Sequence, residues 1–170
     1  MSGFPSQGYL VVDAKKCSGC QVCMFSCTIA HEGVGNVNLS RIQVLQDQFK
    51  DWPDSVKIMY CHQCEDPACV KACLFDACYI DKEHGNVRVI DLEKCVGCQA
   101  CMQACPHQPG GVIWNSFIHK AVKCDLCAGA KYLENGGPGG VQACVMNCPQ
   151  KAITYSAEMP PESSGKEGGK

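Results

Sequence analysis

Seventeen of the 170 residues are cysteine, which places the chain among disulfide scaffolds or metal-rich proteins before any motif is read. Formal net charge is -2 and the 15 basic side chains form no dense cluster, which speaks against nucleic-acid binding through a basic patch. The start, MSGFPSQGYLVVDAKKC, offers only YLVV as an apolar run, and no stretch approaches a membrane span. The expectation is a cytoplasmic protein with reduced thiols and no direct membrane insertion.

In chain order, the first candidate strand is YLVV (9–12). It runs through Asp13 and Lys16 into CSGCQVCMFSC, which carries Cys17, Cys20, Cys23 and Cys27. RIQVLQ (41–46) is a second strand candidate. SVKIMY (55–60) then leads into CHQCEDPACVKAC, with Cys61, Cys64, Cys69 and Cys73. Two short strands flank a Gly85-Asn86 turn, a hairpin signal, and the second enters CVGCQACMQACP, with Cys95, Cys98, Cys101 and Cys105. FIHKAVK (117–123) precedes the fourth group: Cys124 and Cys127, then Cys144 and Cys148 beyond the Gly-rich ENGGPGG (134–140). That glycine stretch lacks the Lys-Ser/Thr of a phosphate loop and reads as a flexible loop and a candidate partner surface. AITYSA (152–157) is the last strand, and 158–170 reads as a flexible tail.

Groups one and three share the spacing C-x2-C-x2-C-x3-C, which belongs to [4Fe–4S] sites. Two intervening residues let a tight loop set three thiolates on three corners of one cube. The fourth cysteine, a helical turn on, is carried away to a second cube. Groups two and four stretch the loop but keep the closing C-x3-C. Sixteen cysteines therefore supply four ligands to each of four clusters. A tetrahedral zinc site wants two pairs, and the unbroken runs would crowd the third cysteine.

The repeating unit is strand, cysteine loop, short helix, strand, so the fold class expected is α+β: two ferredoxin-like two-cluster modules, loop-rich and stabilised by their clusters. The hairpin at Gly85-Asn86 joins groups two and three into an inner module, 55–115. Groups one and four then form an outer module from 1–54 plus 116–157, with the inner one inserted in it. Exchange of the closing cysteine within each module gives the ligand sets. Cys17, Cys20, Cys23 and Cys148 form one; Cys27, Cys124, Cys127 and Cys144 its partner. Cys61, Cys64, Cys69 and Cys105 form the third; Cys73, Cys95, Cys98 and Cys101 the fourth. Cys78 is left over. Aligned on Cys73 and Cys148 it falls on the Ile153 position, so it is expected to be a buried free thiol.

A cube with four cysteine ligands has no open iron, so no catalytic residue is assigned and the function expected is one-electron transfer. With sixteen thiolates and four oxidised cores, the holo protein carries about -10 from the formal -2. His62 is a candidate for tuning a potential by hydrogen bonding. His107, and His31, Glu32 and Asp125, read as ordinary surface or loop polar residues.

The order of the groups, with CHQCEDPACVKAC second, CVGCQACMQACP third and a stretched fourth opening CDLC, resembles the four-cluster ferredoxin-type subunits. These serve DMSO reductase, formate dehydrogenase and related molybdenum or tungsten pterin oxidoreductases. The likeness spans residues 9–157 and implies the same ligand pairing and a non-catalytic electron-transfer role beside a catalytic metallopterin subunit. CTIAHEGVGNVNLSRIQV (27–44) is similar to the compact cytoplasmic members that accompany carbon monoxide dehydrogenase or tungsten-dependent aldehyde oxidoreductase, the latter being the nearer match. That match implies electrons passing from an aldehyde oxidoreductase to ferredoxin, a flavin/NAD-binding subunit or hydrogen chemistry, with a hydrogenase or carbon monoxide dehydrogenase as the alternative partner. A cluster near each end would also allow chains to stack. Thr28 and Leu74 stand where the family usually has proline.

Overall fold

The computed structural model describes residues 4–160, so most of the expected tail, 161–170, lies outside the described residues. Among the described residues, eight four-residue strands and four α-helices alternate with long loops. The strands are β1 (Tyr9–Val12), β2 (Gln43–Gln46), β3 (Val56–Met59), β4 (Cys78–Asp81), β5 (Val87–Ile90), β6 (Val112–Asn115), β7 (Lys120–Lys123) and β8 (Ile153–Ser156). The helices are α1 (Val22–Glu32), α2 (Ala68–Lys71), α3 (Ala100–Gln103) and α4 (Ala143–Met146). Among the described residues no helix is long and apolar enough to cross a membrane.

Each helix starts where a cysteine loop ends. It carries the third cysteine of its group, and the fourth follows one turn later. Cys69, Cys101 and Cys144 lie on α2, α3 and α4, with Cys73, Cys105 and Cys148 just past their ends. Only α1 continues, holding both Cys23 and Cys27, until Gly33 caps it at φ 70 with its N–H on the Ile29 carbonyl.

All four sheets are antiparallel pairs. β1 pairs with β8, Val12 opposite Ile153, which brings the two ends of the described chain together. β4 and β5 form the hairpin around Gly85 and Asn86, with Cys78 opposite Ile90. α1 packs on α4, and α2 on α3. β2 pairs with β3, and β6 with β7. These two hairpins join residues across positions 54/55 and 115/116, a pairing that the grouping of cysteines did not indicate. Their loops, 47–55 and 116–119, are short, and neighbours in sequence pair at least cost in loop entropy.

The main core mixes aliphatic side chains with thiols: Leu10, Ile42, Val44, Val87, Leu126 and Ile153 pack among the buried cysteines of groups one, two and four. A smaller core holds Cys69, Cys78 and Cys101 with Val112 and Ala121. With so much of the interior made of sulfur, what the thiols bind decides whether the interior is filled.

Candidate iron–sulfur centres

Three cavities are lined by cysteines from two groups each. Cys17, Cys20 and Cys23 meet Cys148; Cys61, Cys64 and Cys69 meet Cys105; Cys95, Cys98 and Cys101 meet Cys73. Cys27, Cys124, Cys127 and Cys144 are all buried, and beyond burial the Cys124, Cys127 and Cys144 thiols are pushed up by negative charge on others of the same four. A single zinc ion would draw four sulfurs to about 2.3 Å from one point. Among the described residues no three Cys, His, Asp or Glu side chains converge in that way. The donor chemistry, four thiols lining each cavity without meeting at one point, fits a four-iron cube.

The loops are shaped to wrap such a body. In groups one and three the glycine and the glutamine of C-x-G-C-Q are both left-handed: Gly19 at φ 73 and Gln21 at 61, Gly97 at 75 and Gln99 at 62. A Cβ on Gly97 would lie 2.4 Å from the His119 carbonyl oxygen, so only glycine fits. The closing cysteine of every group accepts a backbone N–H on its sulfur: Cys27 from Arg41 at 3.4 Å, and Cys73, Cys105 and Cys148 from Cys78, Gly111 and Ala152 at 3.3 Å. N–H donors aimed at sulfur are the contacts that hold and tune a cluster.

Burial pushes the bare thiols of Cys23 and Cys127 up to about 12 and those of Cys64 and Cys101 to about 11. Ligation must displace these protons, and only a strongly positive group repays that cost.

Polar residues around the thiols depart from the sequence expectation. His31 and Asp125 are not loop polars; both are buried and lie 2.9 Å apart, Nε2 to Oδ1. His31 Nδ1 donates to the Cys27 carbonyl at 2.9 Å, so both ring nitrogens face acceptors and the ring is an imidazolium. Burial opposes that charge, but Asp125 and Cys27 outweigh it and hold His31 up at about 10. Arg41 Nη1 donates to the other Asp125 oxygen at 2.7 Å. His31 and Arg41 hold Asp125 down at about 2 against its burial.

His107 is likewise no bystander: its Nε2 lies 3.1 Å from Cys64 Sγ and its ring stacks on His62 at 3.8 Å, with Tyr60 beyond. Burial and His107 push His62 down to about 4. Two cations that the sequence reading missed line this same cavity. Lys123 is buried, with Nζ 3.4 Å from Cys69 Sγ; Arg88 is fully buried and its Nε has no hydrogen-bond partner.

Cys78 is buried beside Cys73, Cys95, Cys98 and Cys101, at the first residue of β4, as Ile153 is at the first of β8. It packs in the smaller core with Cys69, and the two thiols shift one another, Cys69 down to about 5 and Cys78 up. The Gly-rich stretch is a built turn, with Val141 N–H on Asn135 O at 2.8 Å and the buried Gln142 amide on Gly137 O at 2.8 Å. Nothing in the structure explains Leu74, 86% exposed in its proline slot.

Two models described as 4Fe-4S dicluster domains match the sequence, over residues 9–74 and 55–158. YsaA of Escherichia coli (strain K12), named for electron transport, is 36% identical, covering 85% of this chain and 87% of that one. The B subunit of anaerobic dimethyl sulfoxide reductase from the same organism is 31% identical over 85% of this chain and 70% of its own length. The polyferredoxin-like subunit of aliphatic sulfonate oxidoreductase from Pyrococcus furiosus is 37% identical over 71% and 66%. Among solved structures, the BamBC complex of benzoyl coenzyme A reductase aligns at a TM-score of 0.46 and 22% identity over 95% of this chain and 83% of that one, too loose to carry an argument.

Proposed function

The protein belongs to the 4Fe-4S dicluster-domain family, and from that premise we propose that it is the electron-transfer subunit of an oxidoreductase complex, with no reaction of its own. The observation that carries this is three cavities, each lined by three thiols of one cysteine group and the closing cysteine of another, with the remaining four assigned thiols all buried. When bound, each four-iron cluster takes up or releases one electron. The chain's part is to hold four of them close together, to give every iron a thiolate so that no substrate binds, and to donate N–H groups to sulfur.

Of the assigned ligands only Cys20 and Cys98 are exposed, so they mark where electrons enter and leave. Phe75 and Val96, 47% and 58% exposed, rim the cavity that holds Cys98. The protein's relatives include subunits of multi-subunit reductases, which supports a catalytic partner. Within that reading the partner is a tungsten or molybdenum pterin enzyme of the aldehyde oxidoreductase type, supported by the likeness in 27–44, and the setting is cytoplasmic. The acceptor is a flavin/NAD-binding subunit or a soluble ferredoxin. The nested modules and the ligand sets stand as part of the same proposal.

Anaerobic purification from the native source tests both levels. About sixteen iron and sixteen acid-labile sulfides per chain, with no turnover by the separated subunit, are expected. A co-purifying large subunit with tungsten or molybdenum is expected as well; nickel would replace the pterin partner with carbon monoxide dehydrogenase. A colourless protein containing zinc would end the relay reading.

A further inference from the structure

The four cysteine sets differ in the charge built around them. The Cys17 cavity is walled by Ser18, Gln21, Val44, Gln150 and Ile153, and the Cys98 cavity by Phe75, Ile90, Val96, Gln99 and Ala121, with no charged residue in either. Beside Cys27 and Cys124 the cations His31 and Arg41 are matched by Asp125 and, at 3.6 Å, Glu32. The cavity of Cys61, Cys64, Cys69 and Cys105 alone is lined by two buried cations, Lys123 and Arg88. Among the described residues neither forms an ion pair with a carboxylate. Lys123 donates to Cys69 Sγ at 3.4 Å, and Arg88 donates only to the carbonyls of Asn86, Phe4 and Glu65 and, through its backbone, to Gln63.

Two buried cations without a carboxylate are costly unless something else in contact supplies negative charge. The thiolates and the cluster they would hold are the only such charge in that cavity. The attraction works both ways: fixed positive charge favours whichever state of the cluster is more negative, which is the reduced one. The hydrogen bond that Lys123 donates to the Cys69 sulfur acts in the same direction. His107 on Cys64 adds a contact to a second ligand of the set.

We propose that Lys123 and Arg88 make the cluster held by Cys61, Cys64, Cys69 and Cys105 the highest-potential site of the four, the first to be reduced and the place where an electron rests between donor and acceptor. This rests on the four-cluster reading above. Lys123 and Arg88 are positioning residues, acting through the cluster's ligands and its field.

The test uses the whole reconstituted protein. With lysine side-chain nitrogen labelled as ¹⁵N, pulsed EPR on the first signal to appear in a reductive titration is expected to show a ¹⁵N coupling, since among the described residues only Lys123 brings an Nζ to a cysteine sulfur. A first signal without that coupling, while a later one has it, overturns the proposal. In Lys123→Met the ratio of reduced to oxidised cluster at fixed potential is expected to fall at least tenfold, a shift of about 59 mV for one electron. Lys123→Arg, which keeps the charge, is expected to retain most of the wild-type ratio. A Met variant with full iron and an unmoved midpoint overturns the idea; should that variant fail to assemble, the labelled wild-type protein decides. Wild-type protein holding fewer than four clusters would instead overturn the functional reading on which the proposal rests.

Discussion

Replacing Asp125 by alanine removes four hydrogen bonds at once, and they tie together three distant segments. Its carboxylate accepts from His31 Nε2 at 2.9 Å at the end of α1, from Arg41 Nη1 at 2.7 Å ahead of β2, and from the backbone N–H groups of Cys127 and Gly129 at 3.0 and 3.2 Å. With side chains only 2% and 5% exposed, His31 and Asp125 form a buried pair, and removing one member of such a pair costs about 3–5 kcal/mol. The lower figure corresponds to a little over a hundredfold in rate. Because the tied segments carry Cys27, Cys124 and Cys127, the loss should appear first as loss of that cluster. Holo protein mixed with an iron chelator in mild denaturant is followed by its visible iron–sulfur absorbance. About a quarter of the absorbance is expected to bleach some hundredfold faster in Asp125→Ala than in wild type. Asp125→Asn, which keeps an acceptor for the two backbone donors, is expected between them. An Asp125→Ala protein that bleaches at the wild-type rate would refute this account. The gap between the two proteins also has a pH signature. Asp125 and Cys27 raise His31 from 6.5 to about 10 against the cost of burial, so the pair's contribution is complete below 6.5 and fades as pH climbs through about 10. The bleaching rates of wild type and Asp125→Ala should therefore converge in that upper range.

Cys78→Ala is expected to keep all four clusters, with iron unchanged at about sixteen per chain, because Cys73 already closes that set; a loss of four iron would make Cys78 a ligand. Gly97→Ala forces a side chain into φ 75 and against the His119 carbonyl, at a cost of more than about 1 kcal/mol, and should show as a cluster deficit confined to the Cys95 set on iron analysis. Cluster assembly should release protons, since burial holds Cys23 and Cys127 at about 12; reconstitution yield is expected to rise with pH across the neutral range, and a flat profile would contradict it. Stripping the iron should abolish most of the circular dichroism, as thiols make up so much of the core.

The thiol pattern was legible because loop spacing is a local property. Cys17, Cys20 and Cys23 lie together whatever the rest of the chain does, and the turn that holds them is written in Gly19 and Gln21. Cys78 was legible for the same reason, since its place follows from counting along a repeat. His31 and Asp125 were not, because ninety-four positions separate them and neither belongs to a repeat. His107 escaped notice because its partners, His62 and Cys64, come from another unit. The β2–β3 and β6–β7 pairings were not legible in the cysteine groups, because they follow from the short loops between those strands and not from the thiol spacing.

Three lysines stand immediately before the first cysteine of a group: Lys16, Lys94 and Lys123. By sequence alone they are one feature repeated, and the sequence determined the repeat, the ligand count and the class of cofactor, all of which depend on neighbours a few residues away. In the folded chain Lys16 and Lys94 stay out in solvent, paired with Asp13 and Asp91 three residues earlier, while Lys123 has Lys120 in that place and turns inward. The missing aspartate was a signal in plain view, but not where the ammonium would go instead. Only the packing of β7 against β6 and of its end against Cys69 decided that, because the field at a cluster depends on charges close in space, wherever they lie along the chain.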